Sequence, residues 1–148
     1  MAVMLVFIIP LRSRAVSKNW ERVSALCARA VVSCCRQLDG ESHTILVCRE
    51  TPELPAGLKN LTVIAEPFLV PENKADQMKD KYRKIQRGLI EARATAPFFW
   101  MKVDSDDCVS NRLAGHVRKN AQAPGFLFRR GWIYEENCHT AYWERKGF

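Results

Sequence analysis

Residues 3 to 9 form an unbroken, β-prone apolar run ended by Pro10, the pattern of a strand in the middle of a sheet covered on both faces. From Trp20 the period changes. Trp20, Val23, Leu26, Cys27, Ala30, Val31 and Cys34 recur at spacings of three and four, which predicts a helix with one apolar face, capped by Asn19 and ended by Asp39 and Gly40. Two short apolar runs follow, 44–48 and 61–65, separated by the polar, proline-containing RETPELPAG. With no helix between them, they predict either a hairpin-like excursion or a very short crossover. From about Lys74 to Ala94 the positions Met78, Tyr82, Ile85, Leu89 and Ala92 step by four, three, four and three, the mark of a long amphipathic helix. Pro97 restarts the chain, FFWMKV reads as a fourth strand, and Ser110 is placed to cap a helix running to about Asn120. The remainder holds two β-like runs around Arg130 and Gly131, which predicts a hairpin there.

Strands alternating with helices of this length predict an α/β fold, a three-layer α/β/α arrangement around a mainly parallel open sheet. At 148 residues the chain is expected to form one domain, 1–148. Its hydrophobic fraction of 47% is that of an ordinary globular protein, which excludes disorder, collagen and coiled coil. The opening AVMLVFII is too short to span a bilayer, so no transmembrane segment is expected. Six cysteines, Cys27, Cys34, Cys35, Cys48, Cys108 and Cys138, contain no CxxC pair and no finger-like spacing with His43, His116 or His139. This argues for reduced, mostly buried thiols in a cytoplasmic protein rather than a structural zinc site.

Lysine and arginine outnumber the acids 23 to 16, a formal charge of +7, which favours anionic partners: nucleic acid, nucleotide phosphates or an acidic membrane surface. One stretch narrows the choice. FFWMKV runs straight into Asp104, Asp106 and Asp107, and in open parallel sheets ligands bind at the carboxyl ends of the strands. Three carboxylates this close raise one another's proton affinity unless a cation sits among them. Magnesium and manganese prefer such hard oxygen ligands and fill the rest of their shell with water and phosphate oxygens, so the cluster reads as half of a metal–diphosphate site. The competing reading is a solvated loop in which Asp107 or Ser110 caps the next helix.

MKVDSDD, preceded by KYRKIQRGLIEARATAPFF, resembles the nucleotide-sugar glycosyltransferases of the GT-A fold, the family 2-like group, whose signature is a helix, a hydrophobic strand and then DxD or DxDD. VFIIPLRSR is similar to that family's first strand and proline-ended loop, and the resemblance covers residues 3 to about 120. It implies a Rossmann-like nucleotide-binding half and a Mn2+- or Mg2+-dependent transfer of sugar from a nucleotide-diphosphate sugar to an acceptor hydroxyl, on a glycan or lipid-linked sugar. Residues 1–120 would then be the nucleotide-sugar and metal-binding region and 121–148 the start of the acceptor region, so that the chain carries the donor-binding portion of such an enzyme.

The resemblance also implies roles. Pro10, Leu11 and Arg12 would line the nucleotide pocket, while Arg49 and Glu50 approach the base or ribose, although the family's acidic pair and glycine are replaced here by CRETPE. Asp104 would face the ribose and metal-bound water, Asp106 would ligate the metal, and Asp107 would add a further ligand. Lys81 and Lys84, one turn apart, would offer cations to the diphosphate; the alternative for all seven basic residues of that helix is a solvated face. Glu135 or Glu136 would serve as general base, and His139 as a late metal ligand. Trp132, Tyr134, Tyr142 and Trp143 would stack on a sugar or form a hairpin core.

Three other functions compete. A non-catalytic remnant would bind nucleotide-sugar and metal without transfer. A phosphotransferase or phosphatase would need an aspartate after the first strand, where Pro10 stands instead. A nucleic-acid module would need exposed aromatics among its basic residues, whereas Met78, Tyr82 and Ile85 sit where a core stripe belongs. The expectation is therefore a cytoplasmic protein, or one peripheral to a membrane, with no nucleic-acid partner.

Overall fold

The computed structural model describes residues 4–94 and 98–145; Val3 and Pro97, the expected strand start and restart, lie outside them. β1 (Met4–Pro10) is followed by a 3-10 turn (Arg14–Val16), α1 (Trp20–Cys35), β2 (Ser42–Cys48), β3 (Leu61–Ala65) and α2 (Lys74–Ala92). Then come β4 (Phe98–Lys102), α3 (Leu113–Lys119), β5 (Gly131–Glu135) and β6 (Thr140–Glu144). The first four strands form one sheet in the order β3-β2-β1-β4, parallel throughout, with Phe7 opposite Thr44 on one side and Met101 on the other. The expected α/β class with a parallel sheet flanked by helices is therefore present, in a layout compatible with a Rossmann-like half.

The apolar run that predicted a central strand is buried from Leu5 through Pro10, and its alternation divides the core in two. Leu5, Phe7, Ile9 and Leu11 pack with Cys27, Val31 and Cys34 of α1 and with Ala114 and Val117 of α3. Val6 and Ile8 pack instead with Ile45, Val47, Ile64 and Ala92, the last on α2. All six cysteines are free, and burial, before any neighbouring charge, pushes the Cys27 and Cys34 thiols up to about 12, far from any reactive thiolate. Cys27, Cys34 and Cys48 are buried and Cys35 is half-buried, whereas Cys108 and Cys138 are exposed.

Local signals placed the starts of the first two helices well. Asn19 Oδ1 accepts from Arg22 N at 2.9 Å and Asn73 Oδ1 accepts from Asp76 N at 3.0 Å, each satisfying an orphan donor of a first turn. α1 ends at Cys35, earlier than expected, because Asp39 and Gly40 serve a different contact. Gly40 has φ +129°, and a Cβ there would stand 2.7 Å from the Ala114 carbonyl carbon, so this loop presses backbone to backbone on α3.

β2 and β3 are parallel, so of the two alternatives left open residues 49–60 make the short, helix-free crossover. Three expectations need correction. The hairpin near the end reverses at residues 136–139, with His139 at φ 49°, and Gly131 lies inside β5. Ser110 does not cap α3; its hydroxyl accepts from Arg112 N at 3.3 Å in the turn before, and the helix starts at Leu113. Finally, Met78 and Tyr82 are exposed, while the buried positions of α2 are Asp80, Lys84, Ile85, Gly88 and Ala92. The helix follows a parallel strand, so its first turns overhang the strand ends, where a cleft replaces the sheet.

Gly88 is where α2 crosses β1, and a Cβ there would come 2.7 Å from Ile8 Cγ2. Ile8 is fully buried and β-branched, with little rotamer freedom to yield. Gly88→Ala gains about 1 kcal/mol of helix propensity but overpacks the crossing at a cost of about 1–3 kcal/mol. Urea denaturation should show a lowered midpoint at unchanged slope; a raised midpoint would mean that the crossing has slack.

Candidate functional site

The chain leaves β1 for β2 and β3 on one side of the sheet and returns to β4 on the other. A crevice opens outside the carboxyl ends of β1 and β4, the position where ligands bind in sheets of this kind. A cleft of about 340 Å3 occupies it, lined by Pro10, Leu11 and Arg12 after β1, by Lys81 and its neighbours on α2, and by Asp104 to Asp106 after β4. That volume lies within the range of small-molecule sites.

Both strand exits are held by hydrogen bonds that run one residue past the strands. Val103 N donates to Ile8 O at 3.0 Å, which delivers Asp104 to the rim, and Leu11 N donates to Val47 O at 2.9 Å. The Leu11 carbonyl accepts from Lys84 Nζ at 2.8 Å. Lys84 is 1% exposed and forms an ion pair with Asp80 Oδ2 at 2.6 Å, with the Phe68 ring 5.3 Å from its ammonium. The buried pair thus forms the cleft floor and fixes the β1 exit from below. Lys84 reaches the cleft as expected, but its ammonium is already engaged.

At the rim, Asp104 Oδ1 lies 2.8 Å from Lys81 Nζ and 3.1 Å from Lys102 Nζ. Burial alone would raise the Asp104 carboxyl; the two ammonium groups outweigh it and hold the group below the usual carboxylate range. Lys81 moves up, because its partner Asp104 overcomes the burial that would lower it. Asp107, whose N–H donates to Asp104 O at 3.0 Å, moves the other way. Burial raises it first, and the carboxylates of Asp106 and Asp104 add to that. Asp104 and Asp107, three positions apart, therefore carry opposite perturbations.

Pro10, Arg12, Lys81, Lys84, Asp104 and Asp106 are brought together in this lining, whereas Asp107, Glu50, Glu135 and Glu136 are not part of it. Glu50 accepts from Arg14 N at 3.0 Å and from Ser13 Oγ at 3.4 Å and pairs with Arg49, so it clamps the 3-10 turn after β1. Glu136 pairs with Arg22 at 3.3 Å and Arg29 at 3.0 Å on α1. His139 Nδ1 is bound to the Tyr134 hydroxyl at 3.2 Å, away from the cleft. Sequence reasoning missed Asp80 and Lys102, although both left signals: Asp80 stands four residues before Lys84 on one helix face, and Lys102 precedes Asp104 by two along the strand exit.

Among the described residues no group of three or more His, Cys, Asp or Glu side chains is arranged to hold a metal ion. Asp104 and Asp106 nonetheless supply two hard carboxylates at the cleft, as many as magnesium ordinarily takes from a protein whose ligand brings phosphate oxygens. Their chemistry and number suit that ion, while Asp104 Oδ1 is held here by Lys81 and Lys102.

No protein-family model, curated protein or solved structure matches the chain.

Lys84→Met leaves the Asp80 carboxylate and the Leu11 carbonyl buried without their cation, and should cost about 3–5 kcal/mol. Asp80→Asn added to it should recover a good part in a double-mutant cycle; simple additivity would show that the two charges do not act as a pair. The rim acids respond to pH in opposite senses. The stability that Asp104 contributes is present above the ordinary carboxylate pKa and is lost as pH falls through its lowered value, whereas ionised Asp107 destabilises the fold until it protonates at its raised value. Asp107→Asn should therefore raise the urea midpoint at pH 7, with the gain vanishing as pH falls through the raised Asp107 pKa. A loss at pH 7 would reverse that assignment.

Proposed function

We propose that the cleft binds a nucleotide-diphosphate sugar with Mn2+ or Mg2+, and that the chain forms the donor-binding part of a metal-dependent glycosyltransferase with a GT-A-like α/β/α core. The observation that carries this reading is the convergence of Arg12 and Lys81 with the carboxylates of Asp104 and Asp106 at the β1/β4 switch point. A cluster with both signs suits a ligand that brings a cation and a diphosphate together. Asp104 and Asp106 would hold the ion, which when bound neutralises charge on the leaving diphosphate. Arg12 and Lys81 would meet phosphate oxygens through charge-assisted hydrogen bonds. Lys84 and Asp80 keep Pro10 to Arg12 in place beneath the ligand. The acceptor in this reading is a glycan or lipid-linked sugar, and the setting is cytoplasmic or at a membrane surface. No described helix is long and apolar enough to cross a membrane.

Glu135 and Glu136, the expected bases, do not line the cleft, and Glu136 is paired with two arginines. That observation favours a second reading, a protein that binds nucleotide-sugar and metal without transfer.

Titration calorimetry with UDP-, GDP- and dTDP-sugars, with and without manganese, tests both. Binding should require the metal and be lost in Asp106→Asn. Lys81→Ala should weaken it roughly tenfold or more, the worth of one charge-assisted hydrogen bond of about 1.5–3 kcal/mol. Release of free nucleoside diphosphate would identify a transferase, and binding without release a non-catalytic protein. No heat with any donor would overturn both.

A further inference from the structure

The β5–β6 hairpin stands outside the main sheet and separates its acids from its tryptophans. Trp132 lies opposite Trp143 and Tyr134 opposite Ala141, so these four share one face, with the two indole rings 5.1 Å apart. The other face carries Ile133 and Tyr142 between the pairs Gly131–Glu144 and Glu135–Thr140. Carrying the alternation one residue past each strand puts Arg130 and Arg145, both exposed, beside the tryptophans. One face is therefore arginine, tryptophan and tyrosine without a carboxylate. Glu136 in the turn is turned to α1 by Arg22 and Arg29.

This face is open: Trp132 is 63% exposed, Tyr134 54% and Trp143 41%. Leu127 at 77% and Phe128 at 44% are exposed as well, in the segment just before the hairpin. Exposed apolar area of this kind marks an interaction site, and its chemistry selects the partner. Tryptophan and tyrosine have an apolar body and a polar edge and settle at the headgroup level of a bilayer, while arginine meets anionic headgroups. A second copy of the same face would bring four guanidinium groups together, which like-charge repulsion opposes. A single-stranded nucleic acid would use the rings as a stacking platform but needs a basic groove that tracks its backbone, whereas both arginines of this face lie at one end of the hairpin.

We propose that the Trp132–Trp143 face of the hairpin, with Arg130 and Arg145, docks the protein on an anionic lipid surface. The inference is independent of what the cleft binds. Co-sedimentation of the full chain with phosphatidylcholine vesicles, with and without about one-third phosphatidylglycerol, tests it. The protein should partition to the anionic vesicles, less so as salt rises, with its tryptophan emission moving to shorter wavelength. Arg130→Glu/Arg145→Glu should lower the partition by roughly an order of magnitude or more, and Trp132→Ser/Trp143→Ser should do likewise. Both pairs lie outside the buried core, so thermal unfolding should stay near that of the parent; if the tryptophan variant misfolds, the arginine variant decides. The proposal is overturned by no partition, by equal partition to neutral vesicles, or by partition that the arginine variant leaves unchanged. Failure on vesicles with arginine-dependent binding of a single-stranded RNA oligomer, or with tryptophan-dependent dimerisation in sedimentation velocity, would overturn it in favour of that partner.

Discussion

A strand without a solvent-facing side governs this molecule. β1 is buried from Leu5 to Pro10, and each of Phe7, Ile8 and Ile9 contributes about 1.5–3 kcal/mol by leaving water. Because consecutive side chains point to opposite faces, helices must cover the strand from both, and its backbone must be paired on both edges, by β2 and β4. Polar chemistry is thereby driven to the strand ends. The first residues free to be charged are Arg12 beyond β1 and Asp104 beyond β4, and they meet in the cleft.

The cleft floor shows what that placement demands. A lysine as buried as Lys84 is stable only while paired and hydrogen-bonded, and Asp80 with the Leu11 carbonyl supplies both needs. Replacing the Lys84–Asp80 pair with apolar residues removes two buried charges, but it releases the β1 exit that carries Arg12. The rim shows the complementary case: Asp104 is drawn down by Lys81 and Lys102, while Asp107, two side chains further along the same loop than Ser105, is pushed up. Sequence proximity made Asp104 and Asp107 look equivalent, and the two ammonium groups bound to Asp104 differentiate them.

Elements whose signals are local were legible in the sequence. The apolar run of β1, the asparagine cap of α1 and the apolar run into β4 each reflect a propensity or hydrogen bond within a few residues. The parallel pairing of β2 and β3 was not legible, because strand direction is decided by neighbours in the sheet and residues 49–60 carry no helix to announce a crossover. The hairpin was set too early because Arg130–Gly131 looked like a turn, whereas the reversal uses His139 in the left-handed region. In the site, the aspartates after β4 were found from their position at a strand end, and Pro10 to Arg12 from the resemblance. The burial of Lys84 was hidden in a run of basic residues, and the remoteness of Glu135 and Glu136 from the cleft depends on where the hairpin lies, which spacing does not encode.

The claim on which the account turns is that the β1/β4 switch point is a place for a cation and a diphosphate. A crystal structure of the protein grown with manganese and a nucleotide-sugar, using the anomalous signal of the metal, examines it most directly. The account predicts manganese at Asp104 and Asp106 with phosphate oxygens beside Lys81. Metal and nucleotide lodged elsewhere, with Lys81 and Lys102 still closed on Asp104, would contradict it.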